Sequence, residues 1–143
     1  MKGRFPPEKL AKYPHMSIDD IPVWEKFLEG YASYYESFDY DIRVGEGEEP
    51  LPSLEPKYQE MARALTQKRI DAIGYRDNEI WIFEVKPRAA ISALGQIISY
   101  TDLYYLTHQP SETIIPAIIC NSVDSDVRQL LELRKINIII VSS

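Results

Sequence analysis

The sequence predicts an α/β domain built on one mixed sheet. Three observations carry that prediction. The runs "TIIPAIIC" (113–120) and "NIIIVS" (137–142) are continuously apolar, as strands buried on both faces are. Each is preceded by a segment with helical apolar spacing, 89–106 and 125–135, which is the pattern of parallel crossover units. Residues 69–86 read as two strands around Asp77-Asn78, and Asp and Asn tolerate the positive φ angles of a tight hairpin turn.

Taken in chain order, residues 1–16 hold Pro6, Pro7 and Pro14 and show no clear period. Lys2, Arg4, Lys9 and Lys12 make this stretch an extended basic arm, with a single domain over 17–143. In "SIDDIPVWEKFLEGYASYYESF", Ile21, Trp24, Phe27, Leu28, Tyr31, Tyr34 and Tyr35 recur at helical spacing. Asp19 or Asp20 suits the helix cap, and Pro22 is tolerated in the first turn. "YDIRVG" (40–45) is a short strand, 46–56 a loop rich in Pro and Glu, and 57–67 a short helix. The hairpin strands follow at 69–75 and 80–86. Helix 89–106, strand 113–120, helix 125–135 and strand 137–142 complete the chain. With the short helix set aside, the order is α–β–β–β–α–β–α–β. The first three strands form an antiparallel meander and the last two are parallel.

Composition narrows the function classes. A chain of 143 residues, 45% hydrophobic and 27% charged, fits one globular domain with a real core. The net charge of −6 argues against a protein that coats nucleic acid nonspecifically. Positive charge returns locally at Arg63, Lys68, Arg69, Arg76, Lys86 and Arg88, around the hairpin. One cysteine, Cys120, excludes a disulfide framework and a four-cysteine metal site. The N-terminus has no apolar signal segment and no run reaches membrane-spanning length, so the expectation is an intracellular, cytoplasmic protein without membrane contact. His15 and His108 have no Cys or Asp at ligand spacing and are read as surface or capping residues.

The hairpin contains an anomaly. With Asp77-Asn78 as a two-residue turn, Arg76 faces Glu79, Tyr75 faces Ile80, Ile73 faces Ile82, and Asp71 falls opposite Glu84. Alternation puts Asp71, Glu84 and Lys86 on one face of otherwise apolar strands. Opposed carboxylates about 5 Å apart repel by roughly 3–4 kcal/mol at an effective dielectric near 20. Lys86 supplies one compensating charge. A divalent cation would supply two, and it prefers oxygen ligands. A Glu-x-Lys tripeptide alone says little; Glu55-Pro56-Lys57, in a loop, is a second. The apolar strand, the facing Asp and the helix that follows set the first one apart.

In this order, "RIDAIG" and "IFEVKP" resemble the Asp and (D/E)xK motifs of the PD-(D/E)XK nuclease superfamily, although Ile70 stands where that motif has proline. "GQIISY", with Gln96 and Tyr100 one helical turn apart, resembles the Gln-x-x-x-Tyr feature of its exonuclease and resolvase-like branches. The resemblance covers roughly residues 20–120. It implies a restriction-endonuclease-like αβββαβ core, here with an additional C-terminal α–β. It also implies a nuclease dependent on Mg²⁺ or Mn²⁺ that hydrolyses phosphodiesters of nucleic acid, with DNA the expected substrate. Asp71 and Glu84 would then be metal ligands, Lys86 the catalytic lysine, and Gln96 a further residue of the site. Arg69, Arg88 and Tyr100 would contact nucleic acid. The family often adds a Glu from its first helix. Glu25 suits the layout, with Glu29 the alternative. A homodimer is compatible with so small a domain. A catalytically inactive module of the same fold, binding protein or nucleic acid, is the second reading.

Overall fold

The computed structural model describes residues 2–143. It has a five-stranded mixed sheet with helices on both faces, the α/β architecture expected. Helix α1 (Ile21–Tyr31) ends in a 3₁₀ turn (Ala32–Tyr34) and leads into β1 (Ser37–Val44). Helix α2 (Pro56–Thr66) precedes β2 (Lys68–Arg76) and β3 (Glu79–Val85). The two-residue strand β4 (Arg88–Ala89) leads into α3 (Ile91–His108), then β5 (Thr113–Cys120). A second two-residue strand, β6 (Ser122–Val123), precedes α4 (Ser125–Leu133) and β7 (Asn137–Ile140). The main sheet runs β1-β2-β3-β5-β7; β4 and β6 form a separate parallel pair.

Strands β1, β2 and β3 are antiparallel neighbours, and β5 and β7 are parallel additions to β3. Ile80, Ile82 and Ile118 join Ala93, Leu94 and Ile97 of α3 and Val127 and Leu131 of α4 in one buried cluster. Phe38, Tyr40, Phe83, Ala117 and Ile119 join Trp24, Phe27 and Leu28 of α1 in the other. Covering both faces removes the apolar residues of β3 and β5 from water, which is why those strands read as nearly continuous apolar runs.

The largest boundary differences from the sequence expectation lie between α1 and β1. The helical pattern through Tyr34 and Tyr35 breaks at Tyr31, and β1 begins at Ser37 rather than at residue 40. Phe38, Tyr40 and Val44 are all buried in the sheet, so pairing with β2 overrides the helical spacing of the tyrosines before them. Beside them, any Cβ on Gly74 would meet the rings of Tyr35, Phe38 and Phe83 at 2.9–3.0 Å, so this strand position is reserved for glycine. Pro116 sits inside β5 without breaking it. Asn137 Nδ2 donates to the Pro116 carbonyl at 3.3 Å, and β7 pairs only from Ala117 onward. The missing N–H therefore falls where no neighbouring strand needs it.

Residues 2–16 lie along the domain. Phe5 and Phe38 exchange backbone hydrogen bonds of 3.0 and 2.9 Å, and Tyr13 and Met16 are buried with α1.

Candidate active site

The site forms where the β2–β3 ladder stops. Pairing follows the expected register from Arg76↔Glu79 through Ala72↔Phe83 and goes no further. Beyond that level the Val85 N–H donates to Asp71 Oδ2 at 3.0 Å, so a carboxylate takes a donor that a ladder carbonyl would otherwise satisfy. The alternation of β2 is lost at the same place: Ile70 joins the α3-side cluster that also holds Ile73. Across on β1, Asp41 adopts a positive φ of 55°, in a gap between the pairs Tyr40↔Ala72 and Ile42↔Ile70. Positive φ in a non-glycine residue costs energy and is found where surrounding structure holds it in place.

Glu84 is 3% exposed, and Lys86, just past the end of β3, places Nζ 3.8 Å from Glu84 Oε1. Burial pushes the Glu84 carboxyl well up, and the Asp71 charge pushes it further, against the pull of Lys86. Asp71 is raised as well, by burial first, with the Val85 N–H drawing it back. Two buried carboxyls that resist joint ionisation share a proton or take up a cation.

A third acid reaches the pair from an unexpected position. Asp20 precedes α1 but makes no side-chain cap; it is 7% exposed, and its charge raises both Asp71 and Glu84. The two glutamates expected from this helix point elsewhere. Glu25 accepts a 3.0 Å hydrogen bond from the Tyr13 hydroxyl and lines a different cleft, and Glu29 pairs with Lys9 at 3.0 Å. Glu25 and Glu29 are engaged by Tyr13 and Lys9 along the side of α1, whereas Asp20 stands at its end, so neither glutamate joins the site. Among the described residues no group of three or more His, Cys, Asp or Glu side chains converges tightly enough to enclose an ion by itself.

Helix α3 contributes Gln96 and Tyr100. Tyr100 is raised by burial and then by the charges of Glu84 and Asp71, which places it beside the acidic pair. Gln96 Oε1 is buried without a hydrogen-bond partner, an orphaned acceptor next to Tyr100. A cleft of about 480 Å³ opens against Asp71 and Tyr100, lined also by Lys68, Arg69, His15 and Asp41. Arg69 Nε lies 3.6 Å from Asp41 Oδ1 within this wall. Arg88 is not part of the lining; it pairs with Asp124 at 2.6 Å.

Hard oxygen donors suit a small divalent cation, which binds through one or two carboxylates and keeps waters. Asp71 and Glu84 meet that requirement. Sequence reasoning missed Asp20, His15 and Asp41. For Asp20 a signal existed, since an acid before a helix serves a site as readily as a cap. For His15 and Asp41 none did, because both depend on long-range packing of irregular backbone.

Comparison with protein-family models and with curated proteins finds no match. Among solved structures the chain is similar to a repair endonuclease from Pyrococcus abyssi, with TM-score 0.53 and 18% identity over 92% of this chain and 50% of that one. It is also similar to EndoMS in a complex with double-stranded DNA, with TM-score 0.52 and 14% identity over 94% of this chain and 49% of that one. The chain thus shares a fold with endonucleases and spans about half their length. No helix among the described residues is long and apolar enough to cross a membrane.

Proposed function

We propose that this protein is a divalent-metal-dependent nuclease of the PD-(D/E)XK type acting on DNA. The observation that carries the reading is the buried pair Asp71 and Glu84, with Lys86 3.8 Å from Glu84, at the broken end of a hairpin beside an open cleft. The similar structures support the substrate class, since one of them is a complex with double-stranded DNA.

Asp71 and Glu84 would hold Mg²⁺ or Mn²⁺, and Asp20 adds negative charge behind them. Bound there, the cation supplies Lewis-acid polarisation of a phosphodiester and a lowered pKa for a water. The Val85 N–H fixes the orientation of the Asp71 carboxylate. Lys86 offsets part of the acidic charge and is placed to stabilise charge developing on a phosphate oxygen. Arg69, held by Asp41, and Lys68 supply positive charge along the cleft wall for the phosphates of the bound strand. Tyr100 and Gln96 close the site from α3.

The test is a cleavage panel of supercoiled plasmid, linear duplex, single strands, a four-way junction and RNA, each with Mg²⁺, Mn²⁺ or EDTA. The reading expects metal-dependent cutting by wild type that Glu84→Ala lacks. Folded protein that cuts none of these substrates, or a Glu84→Ala variant that cuts normally, contradicts it and favours a binding module on the same fold.

A further inference from the structure

The N-terminal arm enters the cleft at Pro14 and His15, which line it together with Asp71, Lys68, Arg69 and Tyr100. The Met16 N–H donates to the Tyr13 carbonyl at 3.4 Å, closing a turn with Pro14 second and His15 third. His15 has a φ of 59°. A proline second and a positive φ third is the type II pattern, whose third position favours glycine or asparagine. A histidine there adopts backbone angles that its Cβ disfavours.

The flanking residues hold it in place. Tyr13 and Met16 are buried in the cluster that contains α1. The Tyr13 hydroxyl accepts from the Leu10 N–H and donates to Glu25 Oε2, both at 3.0 Å. Lys9 pairs with Glu29 of the same helix at 3.0 Å. The two glutamates that stay out of the acidic pair thus fasten the arm that carries His15. The imidazole is exposed, and among the described residues no side chain hydrogen-bonds to it. Asp41, the other cleft residue with positive φ, is engaged by Arg69 at 3.6 Å. His15 is therefore a strained, firmly anchored residue with a free donor turned to the cleft, and such strain persists at ligand-binding positions.

We infer that His15 is a substrate-contacting residue, its imidazole N–H donating to a phosphate oxygen of the nucleic-acid strand that occupies the cleft. Imidazole carries an N–H donor whether neutral or protonated. Its neighbours Lys68 and Arg69 are also donors, and three donors along one cleft suit a phosphate backbone. They do not suit a nitrogen-bound ion, because no group of three ligating side chains exists among the described residues. Glu84 and Lys86 lie outside the lining of this cleft, so His15 meets a phosphate flanking the reacting one. The identity of the bound strand rests on the nuclease reading.

Fluorescence anisotropy with labelled duplex and single-stranded oligonucleotides tests the contact. It is run in EDTA on Glu84→Gln protein, so that the probe stays intact, with and without His15→Gly or His15→Arg, and with thermal unfolding beside it. His15→Gly is expected to weaken binding about tenfold without lowering Tm, because glycine takes the positive φ freely. His15→Arg keeps a donor for phosphate and should bind within about threefold of its parent. In cleavage assays with Glu84 intact, His15→Gly should raise KM about tenfold and leave kcat within about threefold, as loss of a contact made equally in ground and transition states does. A His15→Gly variant that binds as tightly as its parent overturns the inference, and so does a parent that binds neither oligonucleotide. A variant that loses Tm and affinity together makes the histidine structural, and affinity that His15→Arg does not restore removes the phosphate as its partner. A fall in kcat at unchanged KM contradicts the flanking position. If binding depends on His15 but the wild type cuts nothing, the contact stands and the nuclease reading fails.

Discussion

The two ends of the β2–β3 hairpin obey different rules. At the turn, Tyr75 pairs with Ile80 and Arg76 with Glu79, the ladder is complete, and Trp81 packs edge-on against Tyr34 and Tyr35. At the far end the ladder fails, β2 loses its alternation, and two carboxyls take positions that sheet cores reserve for apolar groups. One stretch of sequence thus builds a rigid support and a site held against its own preference. Local rules break where a protein uses the broken place, because unsatisfied charge is tolerated only when something else requires it.

The contrast can be broken at either end. The largest expected effect is on activity at the open end. Asp71→Asn, Glu84→Gln and Lys86→Ala should each lower metal-dependent cleavage by at least about 10²-fold, measured under single-turnover conditions with the fold checked by circular dichroism. Along the paired rungs the loss falls on stability instead. Ile82→Ala or Phe83→Ala empties a fully buried position and should cost about 3–5 kcal/mol in urea titrations.

Next in size is a stabilisation. Glu84→Gln removes the repulsion between the acids, so the metal-free variant should melt a few degrees above wild type at pH 8. The pH dependence has a definite sign. The folded-state Glu84 and Asp71 values lie above their ordinary 4.5 and 3.8, so the native protein retains protons that the unfolded chain releases. Stability of the metal-free protein is therefore greatest in the acid range, among groups of this kind, and falls as pH rises from the ordinary carboxylate values toward the raised ones. Thermal melts from pH 5 to pH 9 in EDTA check this, and Glu84→Gln should flatten the slope.

Smaller effects sharpen the boundary of the site. Tyr100→Phe keeps the ring and removes the hydroxyl beside the acids, so cleavage should fall about tenfold with Tm unchanged. Glu25→Ala should leave metal affinity alone and cost only about 1 kcal/mol, the worth of its bond to the Tyr13 hydroxyl.

Much of this was legible in the sequence, for reasons tied to particular residues. Asp77 takes a φ of 50° in the two-residue turn, and that turn fixed the register down to Ala72↔Phe83. The apolar run of β5 announced a strand covered on both faces, whereas the equally apolar run of β7 forms an edge strand that is only half-buried and leaves Ile140 exposed. What stayed hidden required information that alternation does not carry. An ideal ladder would have continued to Asp71 and Glu84, but the mutual repulsion of buried acids and the bond from the Val85 N–H to Asp71 end it one pair earlier. Asp19 or Asp20 suited a cap because acids before helices usually are caps; only the packing of α1 on the sheet turns the Asp20 charge toward the pair. The short β4–β6 pair has two residues per strand, too few to show a period.

The central claim is that Asp71 and Glu84 form a cation site, and thermal unfolding at pH 8 with and without Mn²⁺ tests it most directly. The account predicts that Mn²⁺ raises the Tm of wild type and leaves Glu84→Gln and Asp71→Asn unmoved. An equal rise in all three proteins, or none in wild type, would contradict it.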